Sequence, residues 1–262
     1  MMKRFVITGL FAAVCATGFA EESTQTEKSV WATPMDSTTV TATDKAKLPT
    51  SLPKEIHWFR NSSEYRACAI QTYKMATQVV EAKAKDLTSG TWAVILDADE
   101  TVLDNSQFQK ELGMSNKKFD PKLWDEWVMR GEAGLIPGAK AFTDRVRELG
   151  GIVAIVTNRN VTQQKITEDN LKKVGVYYDL IYCKSGESFK EERFKKVEEG
   201  DKEKGIGPLK VIMNVGDNIQ DFPKARQTLR NAADEGEFKD FGDIFIVLPN
   251  PMYGSWERNP QN

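Results

Sequence analysis

Histidine is almost absent from the sequence, since His57 is the one histidine among 262 residues. This scarcity excludes histidine-rich metal sites, the Ser-His-Asp triad and enzymes that use a histidine nucleophile. The GxSxG, GxxxxGK[ST] and GxGxxG motifs are also missing. Any chemistry must therefore use carboxylates, lysines and hydroxyls, and we expect His57 to have a structural role.

Cysteine is also scarce, and a net positive charge is absent. Besides Cys15, the chain has only Cys68 and Cys183, which fall in a predicted helix and a predicted strand. Two buried free thiols are therefore favoured over a disulfide, although export would permit one and the alternative stays open. The formal net charge is −2 at pH 7, so the overall positive charge typical of nucleic-acid-binding proteins is absent. We expect no nucleic-acid partner.

Long apolar runs are missing, because no stretch reaches the roughly 18 residues of a membrane-spanning helix. Lys3-Arg4, an apolar run over residues 5–14 and the small residues of Gly18-Phe19-Ala20 form the pattern of a signal peptide covering residues 1–20. We therefore expect export to the periplasm, the outer envelope or the medium. Val14 precedes Cys15, where a lipoprotein signal has Gly, Ala or Ser, so membrane anchoring is disfavoured but stays open.

Residues 21–54 are rich in Ser, Thr, Lys and Pro and lack apolar periodicity, which is typical of a flexible leader. Residues 55–262 are predicted to form the folded domain. At its start, Asn61 and Glu64 form a capping pair, and apolar residues recur at helical spacing up to about Leu87. This pattern predicts one long helix.

The rest of the chain alternates short apolar runs with helical stretches. The predicted buried strands are Trp92–Leu96, Ile152–Val156, Leu180–Cys183, Val211–Val215 and Ile244–Leu248. The predicted helices between them are Pro137–Leu149, Thr162–Val174 and Pro223–Ala233. This alternation predicts an α/β fold: a doubly wound, mainly parallel sheet with helices on both faces. A small helical cap is expected at about residues 105–136.

Polar residues follow three of these strands, where ligands bind in such sheets. The first strand is followed by Asp97-Ala98-Asp99-Glu100-Thr101, the second ends in Thr157-Asn158-Arg159, and the fourth leads into Gly216-Asp217 and then Asp221. Two carboxylates about 4 Å apart repel by roughly 4 kcal/mol at an effective dielectric constant near 20. A convergent acidic group should therefore take up protons or hold a cation, and an all-oxygen ligand set favours Mg²⁺.

These residues resemble a known pattern: Asp-x-Asp-x-Thr after a strand, a strand-terminal Thr, a later Lys and Gly-Asp-x-x-x-Asp are similar to the four motifs of the haloacid dehalogenase (HAD) superfamily. Further segments resemble the class C acid phosphatases, which are exported bacterial envelope enzymes. They are His57-Trp58 with Arg60, Ser63-Glu64-Tyr65-Arg66-Ala67, Leu96 to Asn105, Pro137-Gly138-Ala139, Gly216-Asp217-Asn218 and Met252-Tyr253-Gly254-x-Trp256-Glu257. The resemblance extends from about residue 55 to residue 257. It implies a HAD-like fold and hydrolysis of phosphomonoesters, including nucleoside 5′-monophosphates.

The chemistry assigns roles to the strand-end residues. Asp97 can attack phosphorus and form a phosphoaspartate, and Asp99 can protonate the leaving group and then deprotonate water. The resemblance implies that Asp99 also binds the metal through its backbone carbonyl and that Thr157 binds a phosphate oxygen. Asp97 and Asp217 are expected metal ligands. Asp221 is either a metal ligand or an N-cap.

Two lysines compete for the cation beside the nucleophile. Lys184 directly follows the third strand, whereas Lys190 and Arg193 match the Lys-x-x-Arg segment of the family. We favour Lys190 as the catalytic lysine. Arg193 and Asn158 are expected to bind substrate.

Several residues have a simpler interpretation. A calcium loop is excluded, because Val102 stands where an EF-hand has Gly and Phe108 stands where it has Glu. Asp104 and Asn105 are expected to serve as turn and capping residues.

The insert between the first strand and the helix at Pro137 contains four aromatic residues and could cover the site. Trp124 and Trp127, three residues apart, are expected to pack in the core. Tyr253 is the preferred residue for stacking on a nucleobase.

Two alternatives to hydrolysis stay open: a non-catalytic surface protein that binds nucleotide or metal, and phosphotransfer to an acceptor alcohol through the same intermediate. A homodimer also stays open.

Overall fold

A computed structural model describes residues 49–261. The expected signal peptide, Cys15 and the expected leader up to residue 48 lie outside the described residues. Among those described, no helix combines the length and the apolar character that crossing a bilayer requires.

A five-stranded parallel sheet forms the centre of the fold. Its strands are β1 (Trp92–Leu96), β4 (Ile152–Asn160), β5 (Leu180–Lys184), β6 (Lys210–Gly216) and β7 (Phe245–Val247). The spatial order is β5-β4-β1-β6-β7, and each neighbouring pair is parallel. β2 (Leu103–Asp104) and β3 (Gly134–Leu135) form a separate antiparallel pair. The doubly wound α/β class predicted from the sequence is confirmed.

Helices cover both faces of this sheet. In the described part of the chain the α-helices are α1 (Lys54–Asn61), α2 (Ser63–Ala84), α3 (Ser106–Met114), α4 (Pro121–Arg130), α5 (Ala139–Glu148), α6 (Gln164–Lys173) and α7 (Glu191–Glu199). Side chains of β1 alternate between two apolar clusters: Val94 and Leu96 belong to the larger one, and Ala93 and Ile95 pack with Phe194 of α7 in the smaller one. Because both faces are covered, β1 is apolar at every position.

The long N-terminal helix predicted from Asn61 to Leu87 is wrong in its bounds. Two helices meet at Ser62, whose backbone is extended (φ −91°, ψ 142°) and whose hydroxyl accepts a hydrogen bond from the backbone N–H of Tyr65 at 3.0 Å. Ser62 is thus the N-cap of α2, in place of Asn61. α1 begins at Lys54, inside the stretch expected to be leader.

The helix predicted over Pro223–Ala233 is also wrong. Lys224 has a left-handed backbone (φ 62°), which interrupts any α-helix there. The segment forms only a 3₁₀ turn at Gln227–Asn231.

Both described cysteines are free, as favoured. Cys183 is buried, but Cys68 lies exposed on α2, so the expectation of two buried thiols is wrong for Cys68.

The expected cap consists of α3, α4 and the β2–β3 pair. The ring of Phe108 on α3 lies 5.3 Å from that of Trp124 and 6.1 Å from that of Trp127, both on α4. Trp127 is buried, whereas Trp124 is only partly buried and faces the cavity described below. The tryptophan pair is therefore divided between the core and the cavity wall.

Candidate active site

The site lies at the carboxyl end of β1, where the strand order reverses. β4 and β6 flank β1 and are reached by crossovers in opposite directions, so the loops after the three strands leave a crevice between them. Asp97 directly follows β1, and Asp217 directly follows β6. The topology thus brings together polar residues that are far apart in the chain.

Three carboxylates converge in this crevice. Asp97, Asp217 and Asp221 each offer an oxygen atom, and these atoms all lie within 4.8 Å of one another. Asp221 closes the 3₁₀ turn Ile219–Asp221, and its Oδ2 accepts a hydrogen bond from the backbone N–H of Asn218 at 2.9 Å. Asp221 therefore lies in the acidic group and does not begin a helix.

Gly216 makes this close approach feasible. A Cβ atom added at Gly216 would lie 2.3 Å from Cβ of Asp221, which no side chain tolerates. The absence of a side chain at the end of β6 therefore allows the turn bearing Asp221 to fold back over the strand.

Lys190 lies between two of these carboxylates. Its Nζ donates to Oδ1 of Asp97 and forms an ion pair with Oδ1 of Asp221 at 2.8 Å. The residue directly precedes α7, where its side chain makes no capping hydrogen bond, and it is almost fully buried. Lys184, the competing candidate, is not among the residues that line the cavity opening from these carboxylates, which is described below.

Burial dominates the electrostatics of the group. It raises the pKa of Asp97 to about 7, because the loss of water outweighs the opposing charge of Lys190. Burial, together with the charges of Asp221 and Asp97, raises the pKa of Asp217 well above its usual value. Burial alone would lower the pKa of Lys190, but the two carboxylates that it contacts raise it. The acidic group therefore has more negative charge than Lys190 neutralises.

Hydrogen bonds from neighbouring residues fix Asp217. Oγ1 of Thr101 donates to Oδ1 at 3.2 Å, and Nδ2 of Asn250 donates to Oδ2 at 2.8 Å. The hydroxyl of Tyr73 donates to the backbone oxygen of Thr101 at 2.6 Å and so holds the loop after β1 against α2.

Asp99 faces a different set of partners. Arg159 forms an ion pair with it, with Nη2 2.8 Å from Oδ1, and Nδ2 of Asn105 donates to the same oxygen at 2.8 Å. Asp99 therefore lines the same cavity but lies outside the three-carboxylate group. Sequence reasoning assigned no role to Arg159 and treated Asn105 as a turn residue, although Asn105 is fully buried. The two-residue spacing of Thr157 and Arg159 on β4, which places both on one face of the strand, was the signal available for Arg159.

Thr157, Asn158 and Arg193 form a second part of the site. Thr157 is buried on β4, and its hydroxyl accepts from the backbone N–H of Arg159 at 3.1 Å, which leaves its own hydrogen for another acceptor. Arg193 donates to the backbone oxygen of Thr157, to Oδ1 of Asn158 at 2.7 Å and to the backbone oxygen of Ser188 at 3.1 Å. Arg193 does not line the cavity. It joins the end of β4 to the loop that carries Lys190, where substrate binding was expected.

A cavity of about 660 Å³ opens from the carboxylates toward the surface. It is large enough for a small ligand. Asp97, Asp99, Asn158, Lys190, Asp217, Asp221 and Tyr253 line it, together with Phe119 and Trp124 of the cap. Of the residues expected at the site, only Thr157 and Arg193 do not line the cavity; they lie behind the residues that form its wall. Aromatic and charged side chains thus line the same opening.

The residues present fit a divalent cation. The donors are carboxylate oxygens, without thiolate or imidazole, and burial has already raised the pKa of two of them. Hard cations prefer such ligands. The three-carboxylate group could therefore hold a divalent metal ion beside Lys190.

The sheet order, the acidic strand ends and the buried lysine define a HAD-like α/β protein. The chain belongs to the HAD superfamily, subfamily IIIB (acid phosphatase), whose family model matches residues 16–256.

Solved structures agree with this assignment. The class C acid phosphatase from Bacillus anthracis is similar to this chain with a TM-score of 0.68 and 30% identity, covering 78% of this chain and 85% of that one. A structure of the class C acid phosphatase from Bacillus anthracis with tungstate bound has the same TM-score at 29% identity and covers 82% and 88% of the two chains.

Curated relatives come from plants. Acid phosphatase 1 of Solanum lycopersicum is 29% identical over 182 residues, which are 66% of this chain and 63% of that protein. The stem 28 kDa glycoprotein of Glycine max is 34% identical over 83 residues, which are 32% of this chain and 33% of that protein. The chain thus spans less than two thirds of the length of these relatives.

Proposed function

We propose that the protein is an acid phosphatase that hydrolyses phosphomonoesters through a phosphoaspartate. The observation that carries this proposal is the meeting of Asp97, Asp217 and Asp221 around Lys190 in a cavity at the end of β1. Membership of the acid phosphatase family supports the same activity.

In the first step, an Oδ atom of Asp97 forms a bond to phosphorus while the bond from phosphorus to the leaving oxygen breaks. A proton passes from the carboxyl group of Asp99 to that oxygen, so the product leaves as an alcohol and Asp99 becomes a carboxylate. Lys190 stabilises the negative charge on the phosphoryl oxygens. The resemblance to the family assigns a phosphate contact to Thr157 as well, and this role requires its hydroxyl, which lies behind the cavity wall, to reach a phosphoryl oxygen.

In the second step, water attacks the acyl phosphate. Asp99 takes a proton from the water as the new bond to phosphorus forms, and the bond to Asp97 breaks. The products are inorganic phosphate, the free carboxylate of Asp97 and a protonated Asp99. One water molecule is consumed, and the enzyme returns to its starting state.

We propose Mg²⁺ as the resident ion. The side chains of Asp97, Asp217 and Asp221 would hold it, and the family pattern adds the backbone oxygen of Asp99. When bound, Mg²⁺ supplies positive charge that stabilises the phosphoryl group during transfer. The three carboxylates outnumber Lys190, the one cation in the described part of the chain that contacts them, so an added divalent cation would neutralise the remaining negative charge.

Nucleoside 5′-monophosphates are the proposed preferred substrates. Tyr253 and Trp124 line the cavity that contains the carboxylates, and stacking of a base on an aromatic ring is worth roughly 1 to 3 kcal/mol in single-strand binders. The class C acid phosphatase from Bacillus anthracis has been solved with tungstate bound, which is a tetrahedral oxyanion like phosphate, and we place the phosphoryl group of the substrate beside Lys190.

We propose that the protein is exported. The support is the signal-peptide pattern over residues 1–20. Mass spectrometry of the protein recovered outside the cytoplasm should find a chain that begins at Glu21. A full-length chain confined to the cytoplasm would contradict export.

The activity is tested by assaying p-nitrophenyl phosphate and a panel of nucleoside monophosphates at acid pH. EDTA should abolish turnover, and added Mg²⁺ should restore it. Failure to hydrolyse any phosphomonoester in the presence of divalent ions would overturn the proposal and favour a non-catalytic binding protein.

A further inference from the structure

A buried hydrogen-bond network joins the cap to the carboxylate of Asp99. Nε1 of Trp127 on α4 donates to Oδ1 of Asn105 at 2.8 Å, and Nδ2 of Asn105 donates to Oδ1 of Asp99 at 2.8 Å. Both Trp127 and Asn105 are buried. The path therefore runs from the core of the cap to the proposed acid–base residue through one amide side chain.

The orientation of that amide is determined by its neighbours. Nη2 of Arg159 also donates to Oδ1 of Asn105, at 3.1 Å. An indole and a guanidinium can only donate hydrogen bonds, so the oxygen of Asn105 must face both of them. The amide nitrogen then has to face Asp99, and a flipped amide would place two donors against each other.

The network binds Oδ1 of Asp99 at shorter distances than Oδ2. Oδ1 accepts from Asn105 at 2.8 Å and from Nε of Arg159 at 2.9 Å, whereas the contact of Oδ2 with Nε of Arg159 is longer, at 3.3 Å. The side chain of Asp99 retains 15% exposure, and the residue lines the cavity. Oδ2 therefore has only one, longer contact with the described part of the protein, which makes it the oxygen better placed to exchange a proton with substrate.

We propose that Asn105 is a positioning residue, which, held by Trp127, keeps Oδ2 of Asp99 aimed at the leaving oxygen of the substrate. This inference rests on the proposed function, because it assumes that Asp99 donates a proton to the leaving group. It assigns the cap a part in the reaction beyond forming the wall of the cavity. Asn105 and Trp127 act through Asp99 and touch neither the substrate nor the metal.

The test compares two substrates of similar shape that differ in their need for a proton. p-Nitrophenolate departs readily without protonation, whereas the alkoxide of benzyl phosphate does not. Misplacing a general acid should therefore lower kcat/KM for benzyl phosphate much more than for p-nitrophenyl phosphate, because general acid catalysis is worth about 10² to 10⁴ in rate. A purely structural defect would lower both values by the same factor.

Trp127→Phe removes the donor and keeps an aromatic ring in the core. We expect it to lower kcat/KM for benzyl phosphate about 10-fold and for p-nitrophenyl phosphate less than threefold, within the range of general acid effects. Asn105→Ala should produce the same selectivity with a loss of about 100-fold for benzyl phosphate. If Asn105→Ala fails to fold, Trp127→Phe alone decides.

Trp92→Phe is the matched control. Trp92 is fully buried at the start of β1, and its Nε1 has no hydrogen-bond partner among the described residues. The same substitution at Trp92 removes an indole N–H that donates no hydrogen bond within the described residues. The ratio of the two kcat/KM values should stay at the wild-type level in this variant, whatever its thermal stability.

The outcomes separate this inference from the proposed function. If the wild type hydrolyses neither substrate, the phosphatase proposal fails. If the wild type hydrolyses both and Asp99→Asn selectively loses benzyl phosphate, while Trp127→Phe keeps the wild-type ratio, the positioning role is overturned and the phosphatase stands. A selective loss in Trp127→Phe and not in Trp92→Phe supports the positioning role.

Discussion

Lys190 donates a hydrogen bond to Asp97, a residue 93 positions earlier in the chain. The two side chains meet because β1 ends beside the loop that precedes α7. The same amine contacts Asp221, so one buried cation connects the proposed nucleophile with the acidic turn after β6. Lys190 therefore holds the nucleophile in position and partly offsets the effect of burial on its pKa.

Replacing Lys190 should harm both activity and stability. Lys190→Met leaves Asp97 and Asp221 without their cation, and breaking a buried ion pair in this way costs about 3 to 5 kcal/mol. We expect kcat to fall by at least about 100-fold, as when one preorganised electrostatic partner is removed from an active site. Steady-state kinetics and urea unfolding measure the two effects.

Lys184→Met is the control for this variant, because Lys184 was the competing candidate and lies outside the cavity wall. It should retain nearly wild-type kcat. Equal losses of kcat in the two variants would show that Lys190 has no special role.

Asp97→Asn should abolish turnover, since an amide cannot form the acyl phosphate. Wild-type protein quenched in acid during turnover should carry one added phosphoryl group on the peptide containing residue 97, detectable by mass spectrometry. Asp243→Asn, at an exposed carboxylate paired with Lys83, should behave like the wild type. Phosphate found on another residue, or turnover surviving in Asp97→Asn, would refute the nucleophile assignment.

The metal-free protein should become less stable as pH rises. The pKa of Asp97 is raised from 3.8 to about 7 in the folded state, so between these values the native protein holds a proton that the unfolded chain has lost. The resulting stability is complete below about pH 4 and disappears as pH rises through about 7. Each unit of pKa difference is worth about 1.4 kcal/mol, and each kcal/mol shifts Tm by about 2 to 4 °C in a domain of this size.

Calorimetry in EDTA between pH 4 and pH 8 measures this effect. Asp97→Asn should make the decline shallower, because it removes one of the buried carboxylates whose pKa is raised. Mg²⁺ should raise Tm more at pH 8 than at pH 5, since it binds the ionised carboxylates. A metal-free Tm that rises between pH 5 and pH 8 would contradict the assignment of the raised pKa to Asp97.

Tyr253→Ala should raise KM for nucleoside monophosphates by about 5- to 150-fold, corresponding to the roughly 1 to 3 kcal/mol of base stacking. KM for glycerol phosphate, which has no ring to stack, should change less than twofold. Tyr177→Ala, at an exposed tyrosine outside the cavity, serves as the control. Equal changes for both substrates would assign Tyr253 a structural role in place of stacking.

The sequence sufficed for the fold class because periodicity is a local property. The apolar run Trp92–Leu96 gave β1 with its correct bounds, and the polar residues after β1, β4 and β6 meet as the rule for strand ends requires. The breaks were harder to predict. The extended backbone of Ser62 divides the predicted N-terminal helix, and the left-handed backbone of Lys224 prevents the predicted helix after it. Neither serine nor lysine predicts these backbone conformations.

The partners of Asp99 could not be predicted for a different reason. Arg159 and Asn105 are of residue types that usually lie at the surface. Here they are buried, and hydrogen bonds such as the one between them offset the free-energy cost of removing their polar groups from water. Such a network depends on the relative placement of β4 and the cap, which no local pattern encodes. Lys190 was found because its segment resembled a family motif.

β6 lies late in the order of elements along the chain, and the site cannot form before this strand is in place. A nascent polypeptide that has emerged only as far as α7 already contains Asp97 and Lys190, yet it lacks the strand that delivers Asp217 and Asp221. Because β6 also pairs directly with β1, the central strand has an unpaired edge until that stage of synthesis. Catalytic competence should therefore arise only after β6 has paired with β1, because only then do Asp217 and Asp221 reach Asp97.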